Sequence, residues 1–383
     1  MKTILSGGKL VTPTRVLEHH TLILDGEVIS AIIPDEQYKP EKEDYQLNGR
    51  GKWITPGLID IHVHGSNFAD AMDPGPQTYH TLGSFFASRG VTGYLLTTGT
   101  ASNEDITAVI EAFQDYVPAG DGAVALGIHL EGPYLCEERK GAQPAVHLRD
   151  PEPDRYQGWF KSGKIKLMTI APELAGAMDL IKFGVNQGIE YAVGHSVASY
   201  EVMQEAIDNG LRQATHLFNG MNPLHHRRPG VVGAVLSDDR VFAQVITDGV
   251  HVHPAVVKTI LKAKGINRTV LITDAIRAAG LGNGEFDLLG QTVTVKDGVA
   301  RIASGSLAGS ILTMDQAVRN TMAFCDIPFS EAIQMASLTP AKSLNIENER
   351  GALEPGLRAD ITIFDQDYSV ETTIVGGKVV YQK

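Results

Sequence analysis

The spacing of apolar and polar positions changes character twice along this chain. Residues 1–53 alternate with a period of two. Thr21-Leu22-Ile23-Leu24, an Asp25-Gly26 turn signal, and Val28-Ile29-Ser30-Ala31-Ile32 predict a β-hairpin. The tail repeats the pattern: Asp360-Ile361-Thr362-Ile363-Phe364 alternates, and Thr373-Ile374-Val375, Gly376-Gly377, Lys378-Val379-Val380-Tyr381 predicts a second hairpin. Each piece is too short to bury its own apolar face. Residues 1–53 and 351–383 are therefore expected to meet in one small β-sandwich, with Pro355-Gly356 at the re-entry.

Residues 54–350 alternate between strand-like and helix-like segments. The β-branched or apolar runs are Ile54–His62, Val91–Thr98, Val124–Leu130, Ile165–Ala171, Tyr191–Gly194, Gln213–Leu217, Phe242–Thr247 and Thr269–Thr273. Amphipathic stretches fall between and after them, at Glu104–Tyr116, Leu180–Asn186, Tyr200–Asn209, Pro254–Lys262, Thr313–Phe324 and Ser330–Leu338. Such a count predicts an α/β fold, a (β/α)8 TIM-like barrel carrying the small sandwich. A doubly wound open sheet shares the alternation and is the competing architecture.

Composition narrows the function. With 383 residues, 43% hydrophobic and 20% charged, the chain has the make-up of a globular protein with a large core. A net charge of -12 argues against nucleic-acid partners and anionic membrane surfaces, both of which need clustered cations. The two cysteines, Cys136 and Cys325, lie far apart in no metal-binding or redox spacing. Together with an N-terminus lacking an apolar signal region and no run of transmembrane length, this points to a reduced, cytoplasmic location.

The strand ends carry the chemistry. The first run ends in His62-Val63-His64, whose imidazoles at i and i+2 share one strand face. The third ends in Glu131, the fifth at His195, the sixth at His216 and the eighth at Asp274. In a barrel all these ends converge on one face, where the sites of this fold lie. Ionisable groups buried together in this way need pairing or a metal, so the set predicts a divalent-metal centre.

Taken in order, several motifs resemble the amidohydrolase superfamily. Thr55-Pro56-Gly57-Leu58-Ile59-Asp60-Ile61-His62-Val63-His64-Gly65 looks like its opening, and Gly351–Asp360 like the return to the small domain. His129-Leu130-Glu131-Gly132-Pro133, Lys140-Gly141-Ala142-Gln143, Gly194-His195-Ser196, Thr215–Met221, Arg227-Arg228-Pro229-Gly230, Asp248-Gly249-Val250-His251 and Thr273-Asp274-Ala275 resemble, more narrowly, the N-acetylglucosamine-6-phosphate deacetylase family. The resemblance covers nearly the whole chain. It implies a cytoplasmic, homodimeric hydrolase that removes acetate from a phosphorylated amino sugar.

The same resemblance implies roles. Glu131, His195 and His216 would hold the principal Zn²⁺ or Fe²⁺, with Glu131 standing where many relatives bridge two metals through a carboxylated lysine. His62 and His64 would supply a second site. Asp274 would bind metal and act as general base and acid. Arg227 and His251, with Asn219 and the Gly220 backbone, would take the phosphate. Ala142, Gln143, Leu307, Ala308 and Gly309 would line the sugar and its acetyl group. Gln143 departs from the histidine found in many members, and a second metal could make up the lost polarisation of the substrate carbonyl. A cyclic-amide hydrolase or deaminase is disfavoured by the absence of an obvious bridging lysine on the third or fourth strand. A binding module without chemistry would leave Asp274 and the first-strand histidines unexplained.

Overall fold

A computed structural model describes residues 2–383. Eight parallel strands form its centre, in chain order Leu58–Val63, Val91–Thr98, Val124–Glu131, Ile165–Ile170, Glu190–Val193, Gln213–Ala214, Phe242–Ile246 and Thr269–Ile272. The second strand is buried along its whole length, as its run of apolar and β-branched residues requires of a strand covered on both faces. The eighth strand returns to the first: the Asp274 N–H donates to the His62 carbonyl at 2.9 Å. Alongside it, the Thr273 hydroxyl donates to Asp60 Oδ2 at 2.5 Å. The sheet is thus a closed (β/α)8 barrel, and the open-sheet alternative falls away.

Helices cover the outside, and their sequences explain where they begin. Ser102 caps Asn103–Gln114 by accepting from the Asp105 N–H at 3.0 Å, and Ile106, Val109, Ile110 and Phe113 give that helix one buried stripe. Ser199 caps Tyr200–Asp208 in the same manner through the Val202 N–H. Pro254 opens Pro254–Lys264, where the His253 Nδ1 accepts from the Ala255 N–H.

Both chain ends form the sandwich. One sheet has four strands, ordered Val28–Pro34, His20–Asp25, Lys2–Ser6, Tyr45–Asn48. The other has six, ordered Lys378–Gln382, Val370–Val375, Ile361–Phe364, Trp53–Pro56, Lys9–Val11, Val16–Leu17. Leu5, Leu22, Ile29, Ile54, Ile361 and Ile374 fill the space between them.

Two features differ from the sequence pattern. The run Ile54–His62 is two strands. Trp53–Pro56 pairs antiparallel with Ile361–Phe364 in the sandwich, and the barrel strand begins at Leu58. The boundary expected between residues 53 and 54 therefore falls inside a strand. Gly57 sits at the junction because the Thr92 side chain occupies the place a Cβ would need. The second feature is an antiparallel meander of Gly284–Leu288, Gln291–Lys296 and Val299–Ile302, placed after the eighth strand. It has its own small core, including Ile276, Leu288, Val293, Val295, Ile302 and Ala308.

Candidate metal centre and substrate cavity

His62, His64, Glu131, His195, His216 and Asp274 all come together at the C-terminal end of the barrel, each at or just beyond the end of its strand. His195, His216 and Asp274 adopt left-handed backbone angles, with φ of 48°, 30° and 50°. Left-handed φ is uncommon for residues other than glycine, and here it turns three polar side chains off the strand axis into one space.

Glu131 is the hub. Its Oε1 lies 3.0 Å from His216 Nε2 and 3.3 Å from His195 Nε2. Its Oε2 lies 3.2 Å from His64 Nε2 and accepts from Gln143 Nε2 at 2.8 Å. Asp274 Oδ1 faces His62 and His64 Nε2 at 3.3 and 3.2 Å. Two ligand sets result, His62–His64–Glu131 and Glu131–His195–His216, each with its donor atoms within 4.8 Å of one another. Glu131 belongs to both.

The chemistry of the donors fits metal ions. The His64 Nδ1–H points at the Thr97 carbonyl, 3.1 Å away, and the His195 Nδ1–H at the Arg139 carbonyl, 2.8 Å away. Those bonds fix the tautomer and leave each Nε2 as a free lone pair directed inward. The Nε2 atoms of His62 and His64 stand 3.3 Å apart and both face Asp274 Oδ1, so two imidazole nitrogens and a carboxylate converge on one point. A divalent cation resolves that arrangement, and imidazole with carboxylate is a donor set for transition metals.

Electrostatics at the centre point the same way. Burial alone would raise the Glu131 pKa, but His62, His195 and His216 hold it well below the usual carboxylate range. Burial likewise opposes ionisation of Asp274, and His62 and His64 overcome it, lowering the pKa. Burial disfavours a charged His62, yet Glu131 and Asp274 raise its pKa to about 9. His64 and His195 shift upward for related reasons. Burial prevails at His216 and His129 and lowers both. His129 bonds Thr169 Oγ1 at 2.7 Å through Nε2 and stacks edge-on against His62, a supporting wall for the first-strand ligands.

A cavity of 330 Å³ opens onto this centre. Of the residues expected at the substrate, Ala142, Gln143, Asn219, Gly220, His251, Leu307 and Gly309 line it. His251 is oriented by Asp248, whose Oδ2 lies 2.6 Å from Nδ1 and whose Oδ1 accepts from the His251 N–H. Gly220 and Gly309 have φ of +64° and +56°. A Cβ at Gly309 would come within 2.8 Å of the Asp274 carbonyl. Ala308 is fully buried behind the wall and does not line the cavity. Arg227 does not line it either. It is exposed, with Nη1 2.8 Å from His226 Nε2, on a loop where the His225 and His226 rings stack. The basic tetrad is a solvated turn in this conformation.

Several contributors went unread in the sequence. Ile276, Leu288, Leu289 and Ser306 complete the wall. Leu288 and Leu289 arrive at the turn between the first two meander strands, held by Gln291 Nε2 donating to the Ala142 carbonyl at 2.7 Å. The signal was present: Phe286 and Leu288 alternate with polar neighbours, Val293 and Val295 do the same, and Asp297-Gly298 is a hairpin turn.

A closed barrel with a paired imidazole–carboxylate centre at its C-terminal face defines the chain as a barrel enzyme of the metal-dependent hydrolase type. It belongs to the amidohydrolase family, whose profile matches residues 53–380. It is 40% identical over 340 residues to the N-acetylglucosamine-6-phosphate deacetylase of Lysinibacillus sphaericus, covering 88% of each chain. The N-acetylgalactosamine-6-phosphate deacetylase of Escherichia coli O157:H7 is 36% identical over 382 residues, with 99% of each chain covered. The crystal structure of N-acetylglucosamine-6-phosphate deacetylase from Pasteurella multocida superposes with a TM-score of 0.95 at 31% identity over the full length of both chains.

Proposed function

We propose that the chain hydrolyses the acetamide of N-acetyl-D-glucosamine 6-phosphate, releasing acetate and glucosamine 6-phosphate, with divalent metal held by Glu131, His195 and His216 and by His62, His64 and Glu131. The observation that carries this reading is Glu131 shared between two inward-facing histidine pairs, at the floor of a cavity whose wall includes His251 and Asn219. When bound, the metal supplies Lewis acidity, acidifying water and polarising the amide carbonyl. Zn²⁺ and Fe²⁺ both suit these donors.

The chain's own groups supply the proton transfers and the positioning. Asp274, ionised in this environment, takes a proton from the attacking water. Water adds to the amide carbon, the C–N bond breaks, and Asp274 returns the proton to the departing nitrogen, which must leave as an amine. His251, set by Asp248, presents Nε2 to the phosphate, with Asn219 and the Gly220 backbone beside it. Leu307 and Gly309 pack against the sugar and its acetyl group, and the apolar Leu288 and Leu289 keep bulk water from that side. Arg227 stands outside the wall, so the phosphate assignment rests on His251, Asn219 and Gly220.

The test is acetate release by metal-loaded protein from N-acetylglucosamine 6-phosphate, its galactosamine epimer and unphosphorylated N-acetylglucosamine, with metal content measured on the same sample. Release from the phosphorylated glucosamine substrate, well above its dephosphorylated form, is expected. No release from either phosphorylated sugar by metal-loaded protein would overturn the reading, and a faster reaction of the epimer would move the substrate assignment to the galactosamine series. Sedimentation of the same sample tests the homodimer implied by the family resemblance, and cell fractionation tests its cytoplasmic location.

A further inference from the structure

The geometry points to Gln143 as the positioning residue for Glu131, holding that carboxylate across the two metal sites. Gln143 is 7% exposed, and both ends of its amide are committed. The Thr100 backbone N–H donates to Oε1 at 2.8 Å, and Nε2 donates to Glu131 Oε2 at 2.8 Å. The direction of this chain is forced: a backbone N–H needs an acceptor and a carboxylate needs a donor, so the amide has one orientation that satisfies both. The base of the side chain is equally fixed, because the Gln143 N–H donates to the Lys140 carbonyl and the adjacent Ala142 carbonyl is tied to Gln291.

What makes this bond matter is the fate of the other donors. Among the described residues, the remaining partners of the Glu131 oxygens are the Nε2 atoms of His62, His64, His195 and His216. Once those nitrogens give their lone pairs to metal, none can donate to Glu131. Gln143 then remains its one protein hydrogen-bond donor. The bond falls on Oε2, the oxygen that faces His64, while Oε1 faces His195 and His216 and lies 3.7 Å from His62 Nε2. Gln143 therefore governs chiefly the first-strand site, through its His64 side: without it the carboxylate is free to turn about its terminal torsion and withdraw Oε2 from His64. Outer partners of this sort typically change metal affinity by ~10–100-fold.

This inference rests on the two-site reading proposed above, and the test separates the two. Metal-free protein is titrated with Co²⁺ by calorimetry and visible absorbance, comparing the parent with Gln143→Leu and with Gln143→Glu, which keeps the shape but presents an acceptor to Glu131. Both variants are expected to keep the tighter equivalent and lose ~10–100-fold in affinity for the weaker one. The parallel kinetic expectation is a fall in kcat with KM little changed. Two unaltered equivalents with a raised KM would overturn the positioning role and make Gln143 a substrate contact. Equal weakening of both sites, or a loss in Gln143→Leu that Gln143→Glu does not share, would also overturn it. A parent protein that takes up a single equivalent would overturn the two-site reading and this role with it.

Discussion

The centre is built from residues that each do two things, and single substitutions expose the second. Gly220 lines the cavity, but its backbone also passes close to the principal ligand set. A Cβ there would lie 2.8 Å from His195 Nδ1 and 3.2 Å from the Arg139 carbonyl, the pair that orients His195. Gly220→Ala is therefore expected to weaken metal binding at the Glu131–His195–His216 set by ~10–100-fold, readable by Zn²⁺ competition against a chromophoric chelator. Unchanged affinity would show that the loop moves away without cost. Protons report on the other set. Against the cost of burial, Glu131 and Asp274 raise the His62 pKa from its ordinary 6.5 to about 9. A raised pKa means that protonation stabilises the fold: the contribution is complete below about 6.5 and is lost as pH rises through about 9. Metal must expel that proton, so between those limits uptake releases protons and affinity climbs with pH. Calorimetric heats of metal binding that vary with the ionisation enthalpy of the buffer would bear this out, and buffer-independent heats would refute it. The histidines and carboxylates themselves were legible in the sequence because strand ends in an α/β pattern carry side chains to one place. Thr97 and Arg139 were not, since they act through carbonyls, which every residue has.

At the scale of elements, the barrel and its helices follow from periodicity, and the meander shows where periodicity was overlooked. Its strands sit between the eighth barrel strand and the helix Met314–Cys325, a place where barrel logic expects only a loop and a helix. The meander is fixed to the site by Arg277, whose Nη2 reaches Asp70 at 3.3 Å, Asp73 at 3.0 Å and Asp287 at 4.0 Å. Asp70 and Asp73 follow the first barrel strand, whereas Asp287 lies in the first meander strand. Burial raises the Asp70 pKa, with Arg277 opposing the shift. Removing the guanidinium leaves a buried carboxylate without its cation and lets the turn at Leu288 and Leu289 drift. Arg277→Ala is expected to cost about 1–3 kcal/mol in stability and to raise KM more than it lowers kcat. A variant with an unchanged melting temperature and KM would show that the meander holds its position by packing alone. Asp60 is another residue whose place the alternation makes legible. It shares the face of His62 and His64 by simple alternation, and its carboxylate joins the first strand to Thr273 on the eighth.

At the scale of the whole molecule, the sandwich is continuous with the barrel. Trp53–Pro56 is a sandwich strand held by Ile361–Phe364, and after Gly57 the same chain becomes the barrel strand that carries His62 and His64. The contacts across the junction are hydrogen-bonded and buried. The Gly57 N–H donates to the Asp360 carbonyl at 2.8 Å, the Thr362 hydroxyl to the Gly90 carbonyl at 2.7 Å, and the Thr373 hydroxyl to the Ala87 carbonyl at 2.7 Å. Phe364 and Val370 belong to the same apolar core as the barrel strands. Opening the C-terminal strands would leave the buried Gly57 N–H without its acceptor, a cost of about 1–3 kcal/mol, and would take the second donor from the Gly90 and Ala87 carbonyls. Neither unit can therefore unfold while the other stays intact. Scanning calorimetry of the metal-loaded protein is expected to give one cooperative transition, and removal of residues 361–383 to abolish metal binding as well as the sandwich. Two separated transitions, or a truncated chain that still takes up metal, would show that the barrel stands without its terminal strands.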